Sequence, residues 1–278
     1  MKKIDTHLHL IYPDELSYPW VKSVPPLQGN FRLKEYHESA KGCEIEGALF
    51  MEVDVAESQI EQEVKLVRQL ATEDTVILGI IAACRPESGT FEQSLEAISG
   101  DHLKGLRRVL HTQPDELSQS SLFRKNIALL AKRNLTFDLC FAARQLPTAI
   151  ELVDACPHTR FVLDHCGVPD IAGGHFNDWA RSIRTLAERE HVACKVSGIP
   201  TYCKPGEADA DTMRPWVENV IEAFGWDRVV WGGDWPVSTL NSSLLAWNDA
   251  LDTILSKEEI DNQTKLYSSN AKRIYNLV

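Results

Sequence analysis

A chain of 278 residues with 44% hydrophobic and 25% charged side chains has ordinary globular proportions and enough apolar material for one sizeable core. Its formal net charge of −11 and sequence pI near 5.3 set the surface against phosphate backbones, which argues against a nucleic-acid partner. No apolar run approaches the roughly 20 residues that a membrane-spanning helix requires, which argues against a membrane role.

Short apolar or β-branched runs alternate along the chain with amphipathic stretches. Strands are predicted at residues 2–9, 46–53, 75–82, 103–110, 135–141, 159–165, 191–197 and 228–233. Helical spacing of apolar residues marks 57–71, 122–132, 146–155, 176–190, 212–224 and the stretch near 244–255, with Asp211 or Thr212 as candidate cap of the helix at 212–224. Eight strands, most followed by a helix, predict an α/β (β/α)8 TIM barrel forming a single domain over residues 1–278. A doubly wound open sheet is the alternative. The Pro/Gly-rich residues 18–30 form a long loop after the first strand and residues 200–211 a second after the seventh. Such loops at the carboxyl ends of barrel strands build the active-site face.

Met1-Lys2-Lys3 leads straight into Ile4-Asp5 without a secretory pattern, so the sequence reads as cytoplasmic. The seven cysteines are dispersed with no C-x-x-C pair and read as free thiols of a reducing compartment.

Polar residues collect where those strands end. In Asp5-Thr6-His7-Leu8-His9, positions i and i+2 share a strand face, so His7 and His9 project together. Two imidazoles there suit either one metal ion or two hydrogen bonds to one oxyanion. In Val162-Leu163-Asp164-His165-Cys166-Gly167, parity with Leu163 turns His165 inward and Asp164 the other way. In Trp231-Gly232-Gly233-Asp234-Trp235-Pro236, two glycines allow close backbone approach to a ligand. Asp234 then stands at the strand end, placed to deprotonate water, hold a metal or cap a helix.

Arg107, Val109 and His111 share a face of the fourth strand, and a buried arginine needs an anion: a substrate carboxylate or Glu52. Lys195 and Ser197 share a face near the end of the seventh strand, where Lys195 meets substrate or pairs with Asp234. Glu52 closes the second strand with its direction open. Trp20, Tyr202 and Trp235 are candidates to stack on a flat ring. No G-x-S-x-G elbow, Walker loop or G-x-G-x-x-G appears, so covalent serine chemistry and nucleotide or organic cofactors drop out.

These segments together resemble the lactonase branch of the amidohydrolase-related TIM-barrel hydrolases, the group of fuconolactonase, pyrone-dicarboxylate lactonase and sulfomuconolactone hydrolase. The resemblance also takes in Lys104-Gly105-Leu106-Arg107, Cys194-Lys195-Val196-Ser197-Gly198 and Asn270-Ala271-Lys272-Arg273-Ile274-Tyr275, and so spans nearly the whole chain. It implies opening of a sugar aldonolactone or carboxylated lactone, with His7, His9 and His165 around the carbonyl and Asp234 as general base. Arg107, Lys195, Trp20 and Trp235 are the expected substrate contacts. The fifth strand carries no histidine and the fourth carries arginines, which excludes a two-metal centre of the type the wider superfamily uses. One divalent ion, zinc first, on His7, His9 and Asp234 with Glu52 as a tentative ligand, or no metal at all, fits the residues. A metal-dependent decarboxylase of an aromatic or unsaturated acid is the rival activity. The expected partner is a small lactone, with a homo-oligomer left open.

Overall fold

The computed structural model describes residues 1–277. Eight parallel strands follow chain order in one sheet: β1 (Lys3–Leu8), β2 (Ile45–Met51), β3 (Ile77–Ala83), β4 (Leu103–Val109), β5 (Thr136–Cys140), β6 (Arg160–Leu163), β7 (Val192–Val196) and β8 (Val229–Trp231). The last strand returns to the first. Leu8 bridges Trp235 in parallel, His9 N–H donates to the Trp235 carbonyl at 2.8 Å, and Asp234 N–H donates to the His7 carbonyl at 2.9 Å. The sheet is therefore a (β/α)8 barrel, as the alternation of strand and helix predicts, with strand ends displaced by only a residue or two.

The outer layer forms because each helix keeps one apolar stripe. In α7 (Phe176–Ala187), Trp179, Ala180, Ile183, Leu186 and Ala187 are buried, at the i, i+1, i+4, i+7, i+8 spacing of a single face. The other helices named by periodicity are α2 (Ile60–Glu73), α5 (Ser121–Ala128), α6 (Leu146–Ala155), α8 (Ala210–Phe224) and α9 (Leu244–Ile254). The cap of α8 is Asp209, whose carboxylate accepts from Thr212 N–H at 2.9 Å. The expected caps Asp211 and Thr212 lie inside the helix, because it begins two residues earlier. Periodicity missed the short helices α1 (Leu33–Ser39), α3 (Phe91–Ile98), α4 (Glu116–Gln119), α10 (Ile260–Thr264) and α11 (Asn270–Ile274).

Alternation along the strands builds two cores. Ala48 and Phe50 of β2 pack outward, whereas Leu49 and Met51 join Ile4, Ile81, Val162, Ala193 and Val230 inside the barrel. Ala271, Ile274 and Tyr275 of the C-terminal segment close that inner cluster from below. With the floor packed, polar side chains collect at the opposite end, where the strands finish. Among the described residues, no helix is long and apolar enough to cross a membrane. All seven cysteines are buried and unpaired.

Candidate active site

His7 and His9 emerge together from the end of β1, as their spacing requires. Their Nε2 atoms are 3.1 Å apart. His9 Nδ1 lies 3.0 Å from the Met51 carbonyl. A carbonyl only accepts, so Nδ1 carries the proton and Nε2 presents a lone pair to the site. Burial, reinforced by Arg107, lowers the His9 pKa to about 4 and keeps the ring neutral. Burial, with Lys195 and His165 alongside, also holds His7 well below the usual histidine range.

Asp234 closes the group from β8. Its Oδ1 is 3.8 Å from His7 Nε2, 3.6 Å from His9 Nε2 and 3.9 Å from His165 Nε2. The residue has a φ of 54°, a left-handed corner that turns the carboxylate back over the barrel. Burial pushes its pKa up to about 6, against the pull of His165 and Arg107.

Three glycines make the crowding possible. A Cβ on Gly232 would come within 2.8 Å of His7 Cβ, and one on Gly233 within 2.6 Å of Asp5 Oδ2. One on Gly198 would come within 2.6 Å of His165 Nδ1. The glycines after β8 thus admit neighbouring strands, not a ligand as the sequence reading expected. Asp5 uses that space to accept from Gly233 N–H at 2.7 Å and from the Tyr36 hydroxyl at 2.9 Å, which locks β1 to the β8 corner.

At β6 the structure corrects the parity argument. The strand stops at Leu163, and His165 and Cys166 take left-handed φ values of 52° and 53°. The corner sends both Asp164 and His165 inward. Asp164 was expected to face away. It is fully buried, with Oδ1 3.0 Å from Lys195 Nζ and 3.5 Å from His7 Nδ1, and Oδ2 3.5 Å from Arg107. Although burial opposes its charge, Lys195 and His7 hold it well below the usual carboxylate range. His165 Nδ1 pairs with Ser197 Oγ at 2.9 Å, leaving Nε2 toward Asp234.

The charged candidates lie differently from expectation. Lys195 is fully buried beneath His7, with Nζ 2.7 Å from Asp138 and 3.2 Å from His7 Nδ1. It touches neither the open cavity nor Asp234. Arg107 chooses the protein anion: Nε donates to Glu52 Oε1 at 2.6 Å and NH2 to the Glu52 carbonyl at 2.8 Å. The other oxygen of Glu52 accepts from Asp54 N–H at 2.6 Å, so the structure holds Glu52 as the counter-charge of Arg107, apart from the histidine and aspartate group. Trp235 is 2% exposed and packs on Phe31 and Tyr36, because its β8 corner points the indole into the helical layer. Trp20 does face the cavity, its Nε1 donating to the Val53 carbonyl at 2.7 Å.

That cavity, of about 420 Å³, opens above His9, His165 and Asp234 and is walled by Trp20, Arg107 and Tyr202. Sequence reasoning missed Asp138 and Asp164. An aspartate inside the otherwise apolar Phe137-Asp138-Leu139 was the available signal for the first. Two buried groupings, His7 with His9 and Asp234, and His7 with Asp164 and His165, have ligand atoms all within 4.8 Å of one another.

Comparison with known proteins bears on this arrangement. The profile described as amidohydrolase matches residues 4–277. The chain belongs to the amidohydrolase family. Within this family, the chain is 25% identical to an L-fucono-1,5-lactonase of Burkholderia ambifaria over 78% of its own length and 77% of that protein's. It is 30% identical to a 2-pyrone-4,6-dicarboxylate hydrolase of Comamonas testosteroni over 61% of its length and 56% of that protein's. Its fold superposes on a crystal structure of a Burkholderia multivorans amidohydrolase with bound zinc with a TM-score of 0.89, at 22% identity and full coverage of both chains.

Proposed function

We propose that this amidohydrolase-family protein opens a lactone ring by general-base attack of water, with Asp234 as the base. The observation that carries the reading is Asp234 Oδ1 standing 3.6 Å to 3.9 Å from three imidazole nitrogens beneath the cavity, which His9, His165 and Asp234 line. With a pKa near 6 the carboxylate is ionised at neutral pH yet basic enough to take a proton from water. It then returns that proton to the ring oxygen as the acyl C–O bond breaks, giving a hydroxy acid without a covalent intermediate. The lactonase relatives support this substrate class.

The residues fit one divalent ion. A four-coordinate zinc with bonds of about 2.0–2.2 Å has ligand–ligand edges of roughly 3.3–3.6 Å, and the three edges among His7 Nε2, His9 Nε2 and Asp234 Oδ1 are 3.1, 3.6 and 3.8 Å. His9 offers a lone pair because Met51 holds its proton. His7 can offer Nε2 only if Nδ1 carries its proton, and Asp164 Oδ1, which also pairs with Lys195 at 3.0 Å, stands 3.5 Å from Nδ1 on the side where that proton would lie. We assign His7, His9 and Asp234 as ligands, with His165 beside them and Glu52 excluded by its pairing with Arg107. A bound ion would polarise the lactone carbonyl and acidify water.

The residues are also self-consistent without metal. Lys195 donates to His7 Nδ1, His7 Nε2–H donates to His9 Nε2, and His9 Nδ1–H donates to Met51. A panel of lactones followed by acid release tests the activity. Hydrolysis that persists undiminished in Asp234→Asn would remove the base from the reading. Carbon dioxide release from an aromatic acid, with no lactone opened, would replace the lactonase reading with a decarboxylase.

A further inference from the structure

The chain has six tyrosines, and five of their hydroxyls are taken up by protein groups: Tyr12 accepts from Leu33 N–H and Tyr18 from Tyr12 N–H, while Tyr36, Tyr267 and Tyr275 donate to Asp5, Asp252 and Asp138. Tyr202 is the exception among the described residues. It lines the cavity with His165 and Asp234, and its hydroxyl is neither bonded to protein nor closed off from the open space. A tyrosine hydroxyl set into a protein wall normally has a partner, so one left open at a cavity is available to what enters. Burial, and then the negative charge of Asp234, holds this phenol well above the usual tyrosine range. It therefore keeps its proton, and the reach of Asp234 puts the hydroxyl on the inner side of the cavity.

The residue is also firmly held. Its ring meets that of His165 edge-on, with centroids 6.4 Å apart. The turn Ile199–Tyr202 begins at the left-handed Gly198 and carries Pro200 in its first positions. From the β8 side, the Asn241 amide reaches the carbonyls of Pro200, Cys203 and Lys204 at 2.9, 3.1 and 3.2 Å. The Tyr202 carbonyl accepts from Ala172 N–H at 3.0 Å. A donor fixed before the substrate arrives needs no reorganisation during the reaction.

In the proposed lactone opening, the histidines serve the carbonyl oxygen, with or without an ion, and Asp234 serves the water. The ring oxygen that leaves has no donor assigned to it. It must approach Asp234 to receive the proton, which brings it to the wall where Tyr202 stands. We propose that Tyr202 is a further catalytic residue, its hydroxyl donating a hydrogen bond to the departing ring oxygen. This rests on the lactonase reading and differs from the ring stacking expected of Tyr202. Protons balance without it: water gives one to Asp234 and its oxygen to the acyl carbon, the acyl C–O bond breaks toward the ring oxygen, and Asp234 passes the proton there. Tyr202 keeps its own and stabilises the charge in between.

The test is Tyr202→Phe, which keeps the ring and removes only the hydroxyl. Both proteins are assayed on the aliphatic lactone of the panel that wild type opens fastest, and on its thiolactone analogue. An alkoxide leaves as the base of an alcohol with a pKa near that of water, about 15.7, a thiolate as that of a thiol near about 8.5, so the oxygen ring alone needs help. The variant should lose about 10²-fold in kcat on the lactone with KM within about twofold, and less than about fivefold on the thiolactone. Its melting temperature should stay within about 1 °C of wild type, since no bond within the fold is lost. Equal losses on the two rings, or a loss confined to KM, would make Tyr202 a binding or carbonyl-side contact and overturn the proposal. A fall in melting temperature would overturn it too, by showing that the hydroxyl serves the fold. Undiminished turnover of the lactone would remove Tyr202 and leave the lactonase reading standing, whereas a wild type that opens no lactone removes both.

Discussion

Asp234 carries a cost that follows from its position. Burial lifts its pKa from 3.8 to about 6, and a carboxylate whose folded pKa is raised is a destabilising group wherever it is ionised. The penalty is absent below about pH 3.8, grows through the interval, and is complete above about 6, where two units correspond to at most about 3 kcal/mol. Asp234→Asn should therefore lower kcat about 10²–10⁴-fold while raising the melting temperature of metal-depleted protein at pH 7.5. A variant that is both inactive and less stable would contradict this assignment of strain. If Asp234 is the base, the same ionisation should set the acid limb of the pH profile. Activity should fall as pH drops through about 6, or lower once a cation sits beside the carboxylate, and should show no such limb in Asp234→Asn. At His9, replacement by Gln should weaken zinc binding at least about tenfold, read by competition with a chromogenic chelator, because the lone pair fixed by Met51 is lost.

The strand ends are where element-scale reasoning succeeds and fails. Alternation placed His7 with His9, Arg107 with Val109 and His111, and Lys195 with Ser197, because those residues lie on or just past regular backbone. It failed for Asp164, since the strand stops at Leu163 and the chain leaves β geometry at the left-handed corner of His165 and Cys166. Partners were only partly legible: Glu52 was one of two anions named for Arg107, 55 residues away, whereas the Lys195–Asp138 contact joins residues 57 apart and leaves no local trace. Two substitutions test the packing of these ends. Gly232→Ala would press a methyl against His7 Cβ and Ser197 Cβ. It should cost about 1–3 kcal/mol in denaturant unfolding and reduce kcat by displacing His7. Lys195→Met would strand Asp138 and Asp164 without their cation, which should cost about 3–5 kcal/mol. Loss of activity with unchanged stability would instead mean that the lysine acts on substrate.

Over the whole molecule, the barrel was legible because eight apolar runs separated by amphipathic stretches admit few closed solutions, and its inner core follows from the same alternation. The family profile spans residues 4–277 and agrees with that architecture. Metal content belongs to this scale, since an ion held as proposed by His7, His9 and Asp234 would tie the two edges of the sheet together. Removal of zinc by a chelator should lower both turnover and melting temperature, with both restored by adding zinc back. Full activity after verified removal would leave the hydrogen-bonded, metal-free arrangement as the working one. Glu52 has a further consequence for what the scaffold can become. It acts as a built-in substitute for a substrate carboxylate, already seated on Arg107. Exchanging it for glutamine would leave a buried cation in search of an anion, and an acid-bearing guest would relieve that deficit. One substitution, away from Asp234, thus offers a short mutational path by which a barrel of this kind would change its diet.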